Sequence, residues 1–131
     1  MLNFLARFKD HTLAALRIMA GFMFMLHGAQ KLFGFLLREG GSTAELFSRT
    51  GFAGVLEFFG GLAILLGLFT QPVAFVLSGQ MAVAYFMAHF PRSFWPIENR
   101  GELAVLYCFV FLFLATSGGG KCSLPQLIRK K

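Results

Sequence analysis

The side chains that could do chemistry in this chain are Arg17, His27, Lys31, Glu57, Tyr85, His89 and Glu102, and each lies in or at the rim of a long apolar run. A carboxylate within reach of a lysine or an imidazole can take up and release a proton, which is the basis of general acid–base chemistry. The same groups are costly where they stand. An ionisable side chain inside an apolar span costs at least about 2.5–3.5 kcal/mol on insertion scales, so it turns towards the bundle interior and finds a partner. Glu57 is the hardest to dismiss: it falls roughly two turns inside its run, where a lone carboxylate needs a proton or a cation. Lys31 and His27 are its expected partners.

Each residue also has a structural explanation. Lys31 and Arg17 are long enough to snorkel to an interface. Glu102 follows Asn99 by three residues, the spacing of a capping box. His89 ends its run and suits the headgroup level. A Glu57 pair can hold helices together as readily as it can catalyse. No H-E-x-x-H, C-x-x-C, G-x-G-x-x-G or P-loop occurs, so no metal, flavin or nicotinamide site is visible. A haem held by His27 and His89 would rest on two histidines alone. Stripes of Met and Phe are more simply lipid-facing packing than a cofactor box. Cys108 and Cys122 are fourteen residues apart, roughly 21 Å along a helix, too far for a disulfide that tolerates about 7 Å.

The elements that must position these residues follow from composition. The 131 residues make one domain, 56% hydrophobic and 14% charged, with 18 Phe, 1 Trp and a mean hydropathy of +0.67. A soluble domain carries about a quarter of its residues as charges, so this one lacks the polar groups to cover a wet surface. Its net charge of +6 comes from basic residues at termini and run ends, which suits anionic headgroups and not nucleic acid. The segment Met1–His11 carries Arg7, Lys9 and Asp10 and leads into a long apolar stretch with no A-x-A site, so it reads as the approach to a first span and not as a cleaved signal. Four spans are expected, at about residues 13–37, 51–69, 73–90 and 102–116, each near the length that crosses about 30 Å of hydrocarbon. A short interfacial helix over 46–50, a turn at Thr70-Gln71-Pro72 and a stop at Gly118-Gly119-Gly120 complete the outline. The runs are too long and too uniformly apolar for barrel strands. The expected fold is an all-α, four-helix integral membrane bundle.

On this plan Arg7, Lys9, Arg17, Lys121, Arg129, Lys130 and Lys131 lie on the side of the termini, and Lys31, Arg38, Arg49, Arg92 and Arg100 on the other. The excess favours cytosolic termini. Helical spacing puts Arg17, Gly21, Phe24, Gly28 and Lys31 on one stripe of the first span, with His27 at its edge. Glu57, Gly60, Gly61, Ile64 and Gly67 share a stripe of the second, and Ser78, Ala82, Tyr85 and His89 one of the third. Glycines beside charges suggest close packing there. By helical rise, Lys31, Glu57, His89 and Glu102 come within about 10 Å of the non-terminal face, and His27 lies deeper. Arg17 is expected near the opposite face, in reach of the second turn or Gln80.

The motifs then resemble a known family. Arg17-x-x-x-Gly21-x-x-x-x-x-His27-Gly28-x-x-Lys31-Leu32 is similar to the first-helix signature of the DoxX family. Glu57-x-x-Gly60-Gly61-x-x-x-x-x-Gly67-x-x-Thr70-x-Pro72 is similar to its second-helix and turn pattern. Asn99-Arg100-Gly101-Glu102 resembles its N-G-G-E, and Gly118-Gly-Gly-Lys-Cys-Ser-Leu124 its terminal G-x-G-x-x-S-L/I-D. Arg100 stands where a small residue is usual, and Pro125 where an Asp is common. The resemblance implies a bacterial inner-membrane protein, kin to the membrane subunit of thiosulfate:quinone oxidoreductases and to proteins linked with quinone and thiol-oxidant resistance. With no cofactor site of its own, a redox role would need quinone or a partner protein.

Three functions are expected in order. The first is a quinone- or thiol-linked redox component in which His27, Lys31 and Glu57 form the polar end of a Phe- and Met-walled pocket. The second is a non-enzymatic anchor or accessory subunit of a larger oxidoreductase or respiratory complex. The third is a small transporter, which at this length without internal repeats would require a homo-oligomer.

Overall fold

The computed structural model describes residues 3–130, so Met1 and Lys131, counted in the terminal segments above, lie outside the described residues. All regular elements among the described residues are helical. Three helices are long and apolar enough to cross a membrane, Lys9–Phe33, Arg49–Leu66 and Thr70–His89, and a shorter apolar helix, Glu102–Ser117, follows. These are the first to fourth spans. Short helices Asn3–Ala6, Pro96–Asn99 and Leu124–Arg129 flank them.

The boundaries follow from caps. The first span begins at Lys9, with Asp10 in its first turn complementing the helix dipole. It stops at Phe33, because Gly34 turns left-handed (φ 71°) and donates its N–H to the Gln30 carbonyl. The sequence expectation, shifted towards the C-terminus, missed both signals. No separate helix forms over 46–50. Leu46 and Phe47 turn into Ser48, whose Oγ accepts the Gly51 N–H at 3.0 Å and caps the second span. The second turn is Gly67–Phe69 and not Thr70-Gln71-Pro72: Gly67 (φ 72°) and Phe69 (φ 47°) make the reversal. Thr70 already opens the third span, and Pro72 occupies its first turn, where no N–H is needed.

The spans pair as two antiparallel hairpins, the first along the second and the third along the fourth. In the first hairpin glycines set the separation. A Cβ on Gly21 would stand 2.5 Å from the Leu65 nitrogen, and one on Gly61 2.5 Å from the Met25 nitrogen. One on Gly28 would collide with the Phe58 backbone and the Gly54 carbonyl. The two helices therefore touch backbone to backbone, the approach that small residues permit between membrane helices. Phe24, Ile64, Leu77, Phe111 and Leu114, all buried, knit the hairpins together. Outside, the helices show Phe52, Phe75 and Phe109 at 65%, 67% and 64% exposure. Bulky apolar side chains facing outward along several helices are what a lipid-embedded bundle requires.

Candidate functional site

Two polar centres lie in the bundle, and they are built differently. At the terminal end Arg17 is 0% exposed. Its Nε donates to Gly119 O (2.8 Å), one terminal nitrogen to Ile64 O and Leu65 O (3.0 and 2.9 Å), and the other to Lys121 O and Cys122 O (3.2 and 3.0 Å). A guanidinium has five N–H donors, and all are used. Ile64 and Leu65 lie in the last turn of the second span, where carbonyls carry the negative end of the helix dipole. The tail is folded to suit: Gly120 (φ 68°) and Cys122 (φ 61°) turn left-handed. A Cβ on Gly119 would press within 3.0 Å of the Arg17 Cδ. Arg17 thus reaches the second turn as expected, but it does not snorkel and it does not meet Gln80.

At the other end Glu57 sits in a π-helical turn, Leu56–Gly60, that interrupts the second span. Such turns widen the helix and recur at functional positions. The Lys31 Nζ donates to Glu57 Oε1 at 2.6 Å, the lysine side chain 33% and the glutamate 4% exposed. Gln80 Nε2, from the third span, approaches the same oxygen at 3.4 Å and the Ala53 carbonyl at 3.4 Å. Tyr107, from the fourth span, is buried in the bundle core. Its ring meets Phe24 (5.1 Å between centroids), Phe111 (5.6 Å) and the edge of half-buried His27 (6.2 Å). Among the described residues, the buried side-chain polar atoms without a partner are Glu57 Oε2, Gln80 Oε1 and the Tyr107 hydroxyl. The first two adjoin one another, and the third is buried on the fourth span beside Phe24 and His27. Buried polar atoms are nearly always hydrogen-bonded, so each exception calls for an account.

The remaining candidates fall elsewhere. Tyr85 donates its hydroxyl proton to the Phe94 carbonyl and accepts from Asn99 Nδ2 at 3.0 Å. His89 Nδ1 lies 3.1 Å from the Asn99 carbonyl oxygen. These residues tie the third span to the loop before the fourth and do not meet Glu57. His27 thus contacts Tyr107, and His89 the Asn99 carbonyl. The capping box does not form. Fully buried Asn99 uses Oδ1 for the Gly101 N–H (2.7 Å) and Nδ2 for Ser93 O (2.8 Å) as well as Tyr85. The helix is capped from Gly101, and Glu102 is exposed. Arg100 adopts φ 58°, a left-handed conformation that glycine takes freely.

Cys108 and Cys122 are both free. Cys108 accepts the Ser78 hydroxyl proton on its carbonyl at 2.8 Å. Tyr107 escapes sequence reasoning because it is a single residue in an apolar helix, and Gln80, expected near Arg17, meets Glu57 instead. The available signal for Tyr107 was that the chain supplies bulk with 18 Phe and uses only 2 Tyr, so each hydroxyl is a departure from its habit.

The DoxX family model matches residues 12–90, more than half of the chain. A protein of Haemophilus influenzae described as uncharacterized is 42% identical over 134 residues, covering 99% of this chain and 100% of its own length. No solved structure matches. The matched region takes in the first three spans with Arg17, Lys31 and Glu57, and the relative extends the likeness across the fourth span and tail, so the chain belongs to the DoxX family.

Proposed function

We propose that this DoxX protein is a quinone-linked redox component of the bacterial inner membrane, with its head-group site at Glu57, Gln80 and Tyr107. The observation that carries the reading is the set of three unpartnered buried polar atoms, contributed by three different spans. A quinone head presents two carbonyl oxygens, and the Tyr107 hydroxyl is a donor for one of them. Glu57, held by Lys31, is an acid–base group able to supply a proton as the quinone is reduced. His27, Phe24 and Phe111 give the aromatic wall that a flat ring requires. In this reading electrons come from a partner protein or a thiol donor.

The test is ligand-dependent stability. A ligand at about 100 times its dissociation constant stabilises the fold by roughly 2.7 kcal/mol. Short-chain quinones should raise the Tm of the purified protein and leave that of a folded Tyr107→Phe variant unmoved. A wild type indifferent to saturating quinone, with no quinone co-extracted, gives way to the accessory-subunit reading. The same reading places the termini in the cytosol. Cys122, which is exposed, should then react with an impermeant maleimide in inverted vesicles and resist it in spheroplasts.

A further inference from the structure

A crevice of about 380 Å³ opens beneath the loop between the first two spans, lined by Ser42, Thr43, Glu45, Ser48, Thr50 and Lys31. The crevice sets Lys31, Glu45 and the Ser42, Thr43, Ser48 and Thr50 side chains beside Leu37 and Ala44, polar groups enough to partner water where the neighbouring helix surfaces are apolar. Lys31 belongs to both worlds. A third of its side chain is exposed, yet its Nζ ends 2.6 Å from a carboxylate that is 4% exposed. On the far side of that carboxylate, Oε2 is buried without a partner.

We infer that this crevice is the aqueous mouth of a proton path: Lys31 relays a proton from crevice water to Glu57, whose second oxygen delivers it to the interior. The step balances. The Lys31 ammonium gives a proton to Oε1 and becomes an amine, and a hydronium ion in the crevice restores the ammonium and leaves water. Rotation of the protonated Glu57 carboxyl turns its O–H to the interior side, so the sum is one proton moved from the crevice to the inner face of Glu57. Glu45 stands in the mouth as a proton-gathering carboxylate. Lys31 of the first span and Gln80 of the third contact Glu57, and the fourth span contributes Tyr107 with His27 beside it. Lys31 alone of these also lines the crevice. This deepens the quinone reading, on which it rests for the use made of the proton.

The experiment needs no quinone. The full chain in nanodiscs is subjected to a pH jump, and the carboxyl infrared band of Glu57, assigned by its loss in Glu57→Gln, is followed in time. Losing a positioned proton carrier slows transfer by about a hundredfold or more, and Lys31→Met should show that loss. Ser42→Trp, which obstructs the crevice without touching the ion pair, should slow uptake while leaving the final band intact. Should Lys31→Met fail to fold, Ser42→Trp decides alone. Protonation at the wild-type rate in either folded variant overturns the path. A protein that takes up protons this way but ignores quinone keeps this inference and loses the previous one, and the converse result does the reverse.

Discussion

The two ends of the bundle each bury a charge, and they treat it in opposite ways. Around Arg17 every donor has an acceptor, all of them backbone carbonyls from the second span and the tail. Around Glu57 only one carboxylate oxygen is engaged, Gln80 leaves an atom unpartnered beside it, and Tyr107 on the fourth span leaves its hydroxyl unpartnered as well. A closed network rigidifies a fold and leaves nothing for a ligand to bind. A half-closed one is a poor structural element, since an unsatisfied buried group forfeits its hydration without return. The contrast assigns the first end to architecture and the second to traffic with something that completes it.

The largest effect that could break this contrast is at the closed end. Arg17→Leu leaves five carbonyls each short of a donor. At about 1 kcal/mol net per bond, and more where a buried oxygen keeps no partner, unfolding free energy should fall by about 5 kcal/mol or more. Unfolding in detergent, followed by helical signal, would show it. Arg17→Lys should recover little, because an ammonium carries three donors and no planar fork. Near-native stability in Arg17→Leu would mean that the tail, not the arginine, closes this end.

A smaller effect is expected at the ion pair. Glu57→Ala and Lys31→Ala should each destabilise, and the double variant should lose less than their sum by about 1–2 kcal/mol, in the range for residues in direct contact. Lys31 tempers the figure, since it is partly exposed and can turn to water when Glu57 is gone. Strict additivity would deny the pair.

The smallest stability effect sharpens the comparison most. Tyr107→Phe deletes a hydroxyl that no protein group satisfies, so stability should change by less than about 0.5 kcal/mol or rise slightly. Loss of the quinone response with stability retained would separate binding from folding. A loss of several kcal/mol would place Tyr107 in the structural class with Arg17.

The difference between the ends also explains what could be read in advance. Four apolar helices are legible because a bilayer demands long apolar runs. The Glu57–Lys31 pair is legible because a charge inside such a run must find an opposite charge, and few were on offer. The partners of Arg17 were only half legible. Spacing placed it near the end of the second span, but backbone carbonyls leave no trace in side-chain identity, and the Gly118-Gly119-Gly120 run read only as a stop. His89 and Glu102 were assigned to the Glu57 level from helical rise. That method fixes depth but not direction, and the π-helical turn over Tyr85–His89 breaks the period that would have carried direction forward. Asn99 looked like half of a capping box because three-residue spacing cannot reveal that the residue is buried and bonded on every side.

The tail carbonyls that hold Arg17 lie 102 to 105 residues after it in the chain. At a synthesis rate of about 5–20 residues per second, that separation lasts roughly five to twenty seconds. During that interval the arginine has left the ribosome and its last acceptors have not. It must wait at the membrane surface, with its head group in water, and the first span cannot settle to its final depth until the end of the chain folds back over it. The closing of the first hairpin at this end thus waits on the last residues of the chain. A protein broken off within the fourth span would leave three of the five Arg17 bonds unmade.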